Sequence, residues 1–149
     1  MRKMLYELLS SIANMFSPKK KPNYESVLLD YTKLNPKKTL IVDVDGTILQ
    51  AQDRDYENAR EYTSVIKKLN TLHKQGWTIV LFTARGQLSK NGDLALIEKL
   101  NRPVLEKWLK EHRVKYDYLL FCKPYGAWYV DDKGLNLHEF MQKDFSKEG

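Results

Sequence analysis

Four short apolar segments, each followed at once by polar or charged residues, most constrain the fold of this chain. They are residues 40–44, 78–82, 118–121 and 128–130. None shows the strict alternation that marks a strand with one face in water, and helix-like sequence separates the first three. Buried strands joined by helices predict a parallel sheet with helices on both faces. The sequence therefore predicts an α/β fold with three layers.

Two helices are predicted between these strands. Residues 57–74 carry apolar side chains on one helical face, and Gly76 follows them as a stop signal. Residues 93–112 have a similar character but include Pro103. Because proline lacks a backbone N–H and clashes with the preceding turn, an interruption of the second helix is expected there.

The first 22 residues form a segment of their own. Apolar residues recur at three-and-four spacing up to Phe16, which predicts an amphipathic helix, and residues 19–22 are a basic linker ending in proline. The expected organisation is a helix and linker at 1–22 and one globular domain at 23–149. Three roles stay open for the helix: docking on the domain or on a second subunit as a homo-oligomer, lying on an anionic membrane surface, or partial disorder.

Charge and cysteine content limit the partners and the compartment. The 25 Lys and Arg against 19 Asp and Glu give a net charge of +6, which favours phosphorylated metabolites, nucleic acid or acidic lipid. The single Cys122 excludes an intrachain disulfide and fits a reducing compartment. No stretch approaches the roughly 18 apolar residues of a transmembrane segment. The cytoplasm is expected, with peripheral membrane attachment as an alternative.

One pair of carboxylates lies at the end of the first apolar segment, and another follows the last. They are Asp43 with Asp45, and Asp131 with Asp132. Functional sites of open parallel sheets lie at the carboxyl ends of the strands, so the four acids are expected to converge. Converging carboxylates repel one another unless a cation lies between them, and hard oxygen ligands suit Mg²⁺. The sequence therefore predicts a magnesium site.

A hydroxyl and an ammonium group follow the two middle segments. Thr83 directly follows the second segment, and Lys123 comes shortly after the third. These groups can bind the oxygens of a phosphoryl group. Acid pair, hydroxyl, lysine and acid pair thus occur in chain order at four strand ends, which predicts a site for a phosphate ester.

This order resembles the haloacid dehalogenase (HAD) superfamily. Residues 43–47, Asp-Val-Asp-Gly-Thr, match the DxDGT signature of its phosphatases, and Thr83, Lys123 and residues 131–132 match its second, third and fourth motifs. The similarity covers about residues 38–140. It implies a Rossmann-like α/β/α fold, Mg²⁺ as cofactor and hydrolysis of phosphomonoesters through an aspartyl-phosphate.

The resemblance also implies roles for the acids. Asp43 is expected to be the nucleophile, and Asp45 the general acid and base. Mg²⁺ is expected to bind Asp43, the backbone carbonyl of Asp45 and the fourth motif, with Asp132 as direct ligand and Asp131 acting through water.

The remaining motif residues are expected to bind substrate. Thr47 and Thr83 would bond the phosphoryl oxygens, and Lys123 would offset negative charge. Gly46, Ala84 and Arg85 complete this set. Arg85 can contact either the substrate or a neighbouring acid.

The spacing of the motifs leaves no room for a cap domain. Only 35 residues lie between Thr47 and Thr83, and 39 between Thr83 and Lys123. An uncapped site suits a large substrate: a glycan, a lipid-linked sugar or a nucleic acid end. A sugar phosphate or glycan intermediate is expected; the alternatives are a polynucleotide-end phosphatase and a non-catalytic HAD-fold binding or regulatory protein.

The last two motifs are unusually close. Seven residues separate Lys123 from Asp131, where many HAD proteins place a whole helix. Small HAD proteins linked to capsule and polysaccharide biosynthesis are similar in this respect.

Overall fold

The computed structural model describes residues 2–16 and 29–148. Its helices and strands, in chain order, are α1 (Arg2–Phe16), β1 (Thr39–Val42), β2 (Leu49–Gln50), β3 (Arg60–Glu61), α2 (Thr63–Lys74), β4 (Thr78–Phe82), α3 (Leu94–Glu111), β5 (Tyr118–Leu120) and α4 (Leu137–Gln142). Short 3₁₀ helices cover Pro36–Lys38 and Phe145–Lys147. α1 lies where the N-terminal helix was predicted, and the basic linker lies outside the described residues. The division into a segment at 1–22 and a domain at 23–149 stays a prediction. Within residues 2–16 and 29–148, none of the helices combines the length and the apolar character of a membrane span.

A parallel sheet in the order β1, β4, β5 organises the domain. Thr39 lies opposite Thr78 in the first pair, and Val80 lies opposite Tyr118 in the second. α2 connects β1 to β4 and α3 connects β4 to β5, so both crossovers advance in the same direction. The predicted α/β fold with a parallel sheet is confirmed and is consistent with a Rossmann-like fold. Helical layers on both faces stay a prediction.

One face of the sheet supplies the centre of the core. Ile79 and Leu81 of β4 and Leu119 of β5 belong to the main hydrophobic cluster, and Leu40 of β1 packs against it. The buried side chains of the two crossover helices join the same cluster, and they are Val65, Ile66, Leu69 and Leu72 of α2 and Ile97, Leu105, Trp108 and Leu109 of α3. This packing fixes the strand ends from which the site is built.

The helix predicted over residues 57–74 is shorter than expected, because α2 starts at Thr63 and residues 57–62 are not helical. Instead β3 pairs antiparallel with β2, and the Tyr62 N–H donates to the Ile48 carbonyl at 2.9 Å. Two-residue strands carry little periodicity, so the sequence pattern extended the helix over them. A small hairpin therefore occupies the chain between β1 and α2.

The expected interruption of α3 at Pro103 was wrong, because the helix is continuous there. The Arg102 guanidinium donates to Glu98 and Glu106, one turn away on either side, at 2.9 and 3.0 Å. It also donates to the Leu119 carbonyl at 2.9 Å. These contacts, together with the buried residues beyond Pro103, offset the missing backbone hydrogen bond.

The predicted fourth strand was also wrong, because residues 128–130 form no strand. Trp128 is 88% exposed and Val130 is 100% exposed. Only seven residues, 121–127, separate this segment from β5. A parallel neighbour in the same sheet requires a crossover of about a dozen residues or more, so the connection is too short.

Lys68 of α2 binds the C-terminal segment, and replacement of its ammonium group is predicted to destabilise the domain. Its ammonium donates to the carbonyls of Phe140, Met141 and Lys143 at 2.5, 3.0 and 2.8 Å, and burial lowers the pKa of Lys68. Lys68→Met should reduce the free energy of unfolding by about 1.5–3 kcal/mol, the range for hydrogen bonds to a charged group. Urea unfolding measures this. Lys67→Met, an exposed neighbour on α2, is the control, and equal effects would contradict the prediction.

Candidate active site

A tight turn after β1 positions the first pair of acids. The Gly46 N–H donates to the Leu49 carbonyl at 2.8 Å, and the Thr47 N–H donates to the Val44 carbonyl at 3.1 Å. Gly46 has φ of +85°, a left-handed conformation that side chains with a Cβ rarely adopt. The turn thus folds directly beyond the carboxyl end of β1.

Both oxygens of Asp43 receive a hydrogen bond. Lys123 Nζ donates to Asp43 Oδ1 at 2.8 Å, and Thr47 Oγ1 donates to Asp43 Oδ2 at 3.1 Å. The Lys123 ammonium also lies 4.3 Å from the centre of the Tyr129 ring. The structure therefore brings together three residues from the first and third sequence motifs, 80 positions apart in the chain.

Asp45 forms a two-pronged ion pair with Arg85. Arg85 Nη2 lies 2.7 Å from Asp45 Oδ1, and Arg85 Nε lies 3.2 Å from Oδ2. The Arg85 side chain is 1% exposed, and its guanidinium lies 4.0 Å from the centre of the Tyr56 ring. Arg85 was expected to contact either the substrate or a neighbouring acid, and in the structure it contacts the acid Asp45.

Thr83 links this ion pair to the end of β4. Its hydroxyl accepts the Arg85 backbone N–H at 3.0 Å and donates to Asp45 Oδ2 at 3.4 Å. Thr83 is almost fully buried. The hydroxyl therefore orients both Asp45 and Arg85.

A cleft of about 590 Å³ opens beside these side chains. The predicted residues that line it are Asp43, Asp45, Gly46, Thr83, Ala84, Arg85 and Lys123. Thr47 is not among the lining residues and reaches the site through Asp43. Residues that sequence reasoning did not place at the site also line it, notably Gln50, Arg54 and Tyr56 from the hairpin segment, Asn101 from α3, and Tyr129. A hairpin of two-residue strands gives no periodic signal that could have found the first three.

Close packing joins the cleft to α3 at Gly86. A Cβ at this position would lie 2.9 Å from Asn101 Nδ2 and 3.2 Å from Ile97. Gly86 also has φ of +82°. The loop after Thr83 can therefore follow α3 closely only because residue 86 is glycine.

The fourth motif is not part of the cleft wall. Asp131 and Asp132 are exposed and do not line the cleft. The Lys133 N–H donates to Asp131 Oδ1 at 2.8 Å, and this bond lowers the pKa of Asp131. Across residues 2–16 and 29–148, no group of three or more His, Cys, Asp or Glu side chains is placed to hold a metal ion. The expected convergence of four acids is thus absent from the folded single chain.

A crystal structure of an MCSG target from Vibrio cholerae is similar to this chain. The two share 36% sequence identity and superpose with a TM-score of 0.70, over 73% of this chain and 91% of that one. The chain belongs to the same family as this Vibrio cholerae protein. No protein-family model and no curated protein matches it.

Two other solved structures are more distant. One is of the Pnkp1/Rnl/Hen1 complex and the other of the Pnkp1/Rnl/Hen1 RNA repair complex. The matches cover 69% and 75% of this chain, at 24% and 23% identity and TM-scores of 0.43 and 0.44. This chain spans 33% and 35% of the respective matched chains. Similarity at this level does not bear on function.

The pair formed by Asp45 and Arg85 is predicted to couple strongly in folding. Arg85 is buried, so its removal leaves Asp45 without its main donor, and removal of Asp45 leaves a buried cation unpaired. A double-mutant cycle with Asp45→Asn and Arg85→Met, read by urea unfolding, should give a coupling energy of about 1–3 kcal/mol. The exposed pair of Lys33 and Asp30 is the control and should couple much more weakly, because solvent and salt screen it. Equal coupling in both pairs would count against the assigned geometry.

Proposed function

We propose that this chain is a HAD-type phosphatase that hydrolyses phosphomonoesters with Mg²⁺ and uses Asp43 as nucleophile. The observation that carries the proposal is the position of Asp43. It lies at the carboxyl end of β1 on an open cleft, and Lys123 and Thr47 fix its two oxygens. A carboxylate held at a strand end beside a hydroxyl and an ammonium suits attack on a phosphoryl group.

In the first half of the reaction, an Asp43 oxygen attacks phosphorus and the bond from phosphorus to the ester oxygen breaks. This step leaves a phosphoryl group on Asp43 and negative charge on the departing oxygen. Lys123 lies 2.8 Å from Asp43 and can offset charge on the nucleophile and on the phosphoryl oxygens. Thr47 keeps the carboxylate in a fixed rotamer, which preserves the direction of attack.

Asp45 serves as general acid and then as general base. It would give a proton to the departing oxygen and later take one from the water that hydrolyses the phosphoryl group on Asp43. Arg85 contacts both carboxylate oxygens of Asp45, so proton delivery to the departing oxygen calls for a looser contact between Asp45 and Arg85.

The donors at this edge of the sheet fit Mg²⁺. Two carboxylates line one cleft, and Mg²⁺ in phosphoryl-transfer sites is commonly held by one or two carboxylates, waters and the substrate phosphate. Asp43 and the backbone carbonyl of Asp45 would bind it, and an acid of the fourth motif, which lies outside this cleft in the single chain, would have to reach it from elsewhere. When bound, the ion would neutralise phosphate charge and orient the ester.

The form of the cleft supports a large substrate. The segment between β1 and α2 holds a hairpin of two-residue strands, and Tyr125 on the rim is exposed. An exposed tyrosine can pack on a sugar face or stack on a nucleobase. We therefore propose an uncapped site for a phosphate on a sugar or glycan intermediate, with a polynucleotide end as the second candidate.

The nucleophile is tested by phosphate release from an aryl phosphate. The wild type should be active with Mg²⁺ and inactive in EDTA, and Asp43→Asn should abolish turnover because an amide cannot take its place as nucleophile. Asp53→Asn makes the same chemical change at an exposed residue with φ of +49°, which asparagine tolerates, and should retain full activity. A folded Asp43→Asn protein that keeps activity would refute the assignment of Asp43.

Asp45→Asn separates acid-base catalysis from binding. It should lower kcat by about 10²- to 10⁴-fold, the usual contribution of a positioned proton donor. The loss of kcat should be smaller for nitrophenyl phosphate, whose leaving group needs no proton, than for an alkyl phosphate. Equal losses on both esters would show that Asp45 does not protonate the leaving oxygen.

The substrate class is tested with a panel of sugar phosphates, nucleotides, oligonucleotides phosphorylated at the 3′ or 5′ end, and phosphopeptides. Preference for sugar phosphates supports the first candidate, and preference for one oligonucleotide end supports the second. Tyr125→Ala should raise KM for the preferred class with little change in kcat, because the side chain lies on the rim of the cleft.

A further inference from the structure

Residues 122–136 form a loop, here called the projecting loop, that leaves the body of the domain and returns to it. β5 ends at Leu120 on one side. On the other side Asn136 begins α4 with a reciprocal cap, in which the Glu139 N–H donates to the Asn136 side chain and the Asn136 N–H to the Glu139 side chain, each at 2.9 Å. The loop is therefore held at both ends.

The middle of the projecting loop is unusually apolar for an exposed segment. Trp128, Tyr129 and Val130 are aromatic or β-branched, the residue types enriched in strands. Trp128 and Val130 are nearly or fully exposed, as reported above. Large apolar side chains clustered in solvent mark an interaction surface.

The same chain carries an unpaired strand edge. β1 pairs with β4 on one side, and no other strand among residues 29–148 pairs with its opposite edge. Ile41, in the middle of β1, is 56% exposed. Such an edge presents a row of backbone donors and acceptors that can bind a further strand.

The projecting loop cannot fill this edge within its own chain. β5 and the free edge of β1 are on opposite sides of the sheet, separated by β4. A parallel strand there must cross about three strand spacings, roughly 14 Å, and also return to the start of the sheet. Seven connecting residues are fewer than the dozen that parallel crossovers need.

We propose that two copies of this chain exchange their projecting loops, so that residues 128–130 of each copy pair in parallel with β1 of the other. Parallel pairing places residues 131–132 beside the carboxyl end of β1. With Val130 beside Val42, Asp131 and Asp132 lie next to Asp43 and Val44. The acids absent from the cleft of the single chain are then supplied by the second copy.

A second copy is the occupant that the chain itself specifies. The strand-like segment and the free edge are both present once in each chain, so a twofold dimer satisfies both copies through an isologous interface. α1 offers a further apolar surface in the described part, with Met4, Leu5, Tyr6, Leu8, Leu9 and Ile12 all exposed. The metal-binding role of the exchanged acids rests on the proposed function, whereas the strand pairing does not.

Cross-linking tests the pairing without any assay of activity. In a Cys122→Ser background, the full chain with Ile41→Cys is mixed with the full chain carrying Tyr129→Cys, because residue 129 lies beside Ile41 on the same face of the sheet when Val130 lies beside Val42. The mixture is treated with a short bis-maleimide, and a covalent heterodimer on a denaturing gel is expected. Lys67→Cys in place of Tyr129→Cys is the control and should give much less product. Heterodimer at control level, together with a monomeric mass by light scattering, would overturn the proposal.

Complementation between inactive chains tests whether the acids act in the other copy's site. Asp43→Asn lacks the nucleophile, and the double variant Asp131→Asn, Asp132→Asn lacks the acids. Each is expected to be inactive alone. An equal mixture, allowed to exchange subunits, should regain about a quarter of wild-type activity, because half of random dimers are mixed and each has one complete site. If the mixture stays inactive although the chains cross-link, the loops have only a structural role, and the proposal that each copy supplies acids to the other's site is overturned.

These outcomes separate the dimer from the proposed function. Cross-linking with an inactive wild type would keep the loop exchange and reject the phosphatase. An active wild type that is monomeric and does not cross-link would keep the phosphatase and reject the exchange. Val130→Lys adds a charge to the paired segment and should yield a folded monomer by circular dichroism and light scattering.

Discussion

The parallel pairing of β1 with β4 is the interaction on which the rest of the site depends. It aligns the ends of two strands, so that the turn beginning at Asp43 and the loop beginning at Thr83 leave the sheet at the same edge. β5 extends the alignment to the segment that carries Lys123. Residues far apart in sequence meet there because parallel strands all end on one side.

Charge compensation is the second constraint on this edge of the sheet. Asp43 and Asp45 are two positions apart and face one cleft, and each has its own cation, Lys123 and Arg85. The two cations differ in surroundings and in chemistry. Arg85 is buried and forms a fixed fork, whereas Lys123 is a compact charge on a flexible side chain that can move toward a phosphoryl group. One acid is thus held firmly and the other is held by a more mobile donor.

Sequence patterns predicted the parts of the structure that depend on local chemistry. The apolar runs predicted β1, β4 and β5, and helical spacing predicted α1 and α2. Both signals depend only on the order of apolar and polar residues within a short segment. Sequence order also grouped Asp43, Asp45, Thr83 and Lys123, which the structure brings together. The errors arose where a nonlocal effect decides. Pro103 is tolerated because Arg102 donates to side chains on neighbouring turns and to the Leu119 carbonyl of β5. Residues 128–130 have strand propensity but no accessible partner in their own sheet.

The anchoring of the projecting loop at both ends has a kinetic consequence. Exchange of a terminal arm requires the arm to leave its own subunit, which often involves partial unfolding. Here β5 holds one end and the bonds from Lys68 to the carbonyls near α4 hold the other, so the loop can meet a neighbour while both bodies stay folded. Association would then be the docking of two folded subunits, and diffusion and relative orientation would set its rate. The concentration of the chain, rather than a slow refolding step, would set how soon complete sites form.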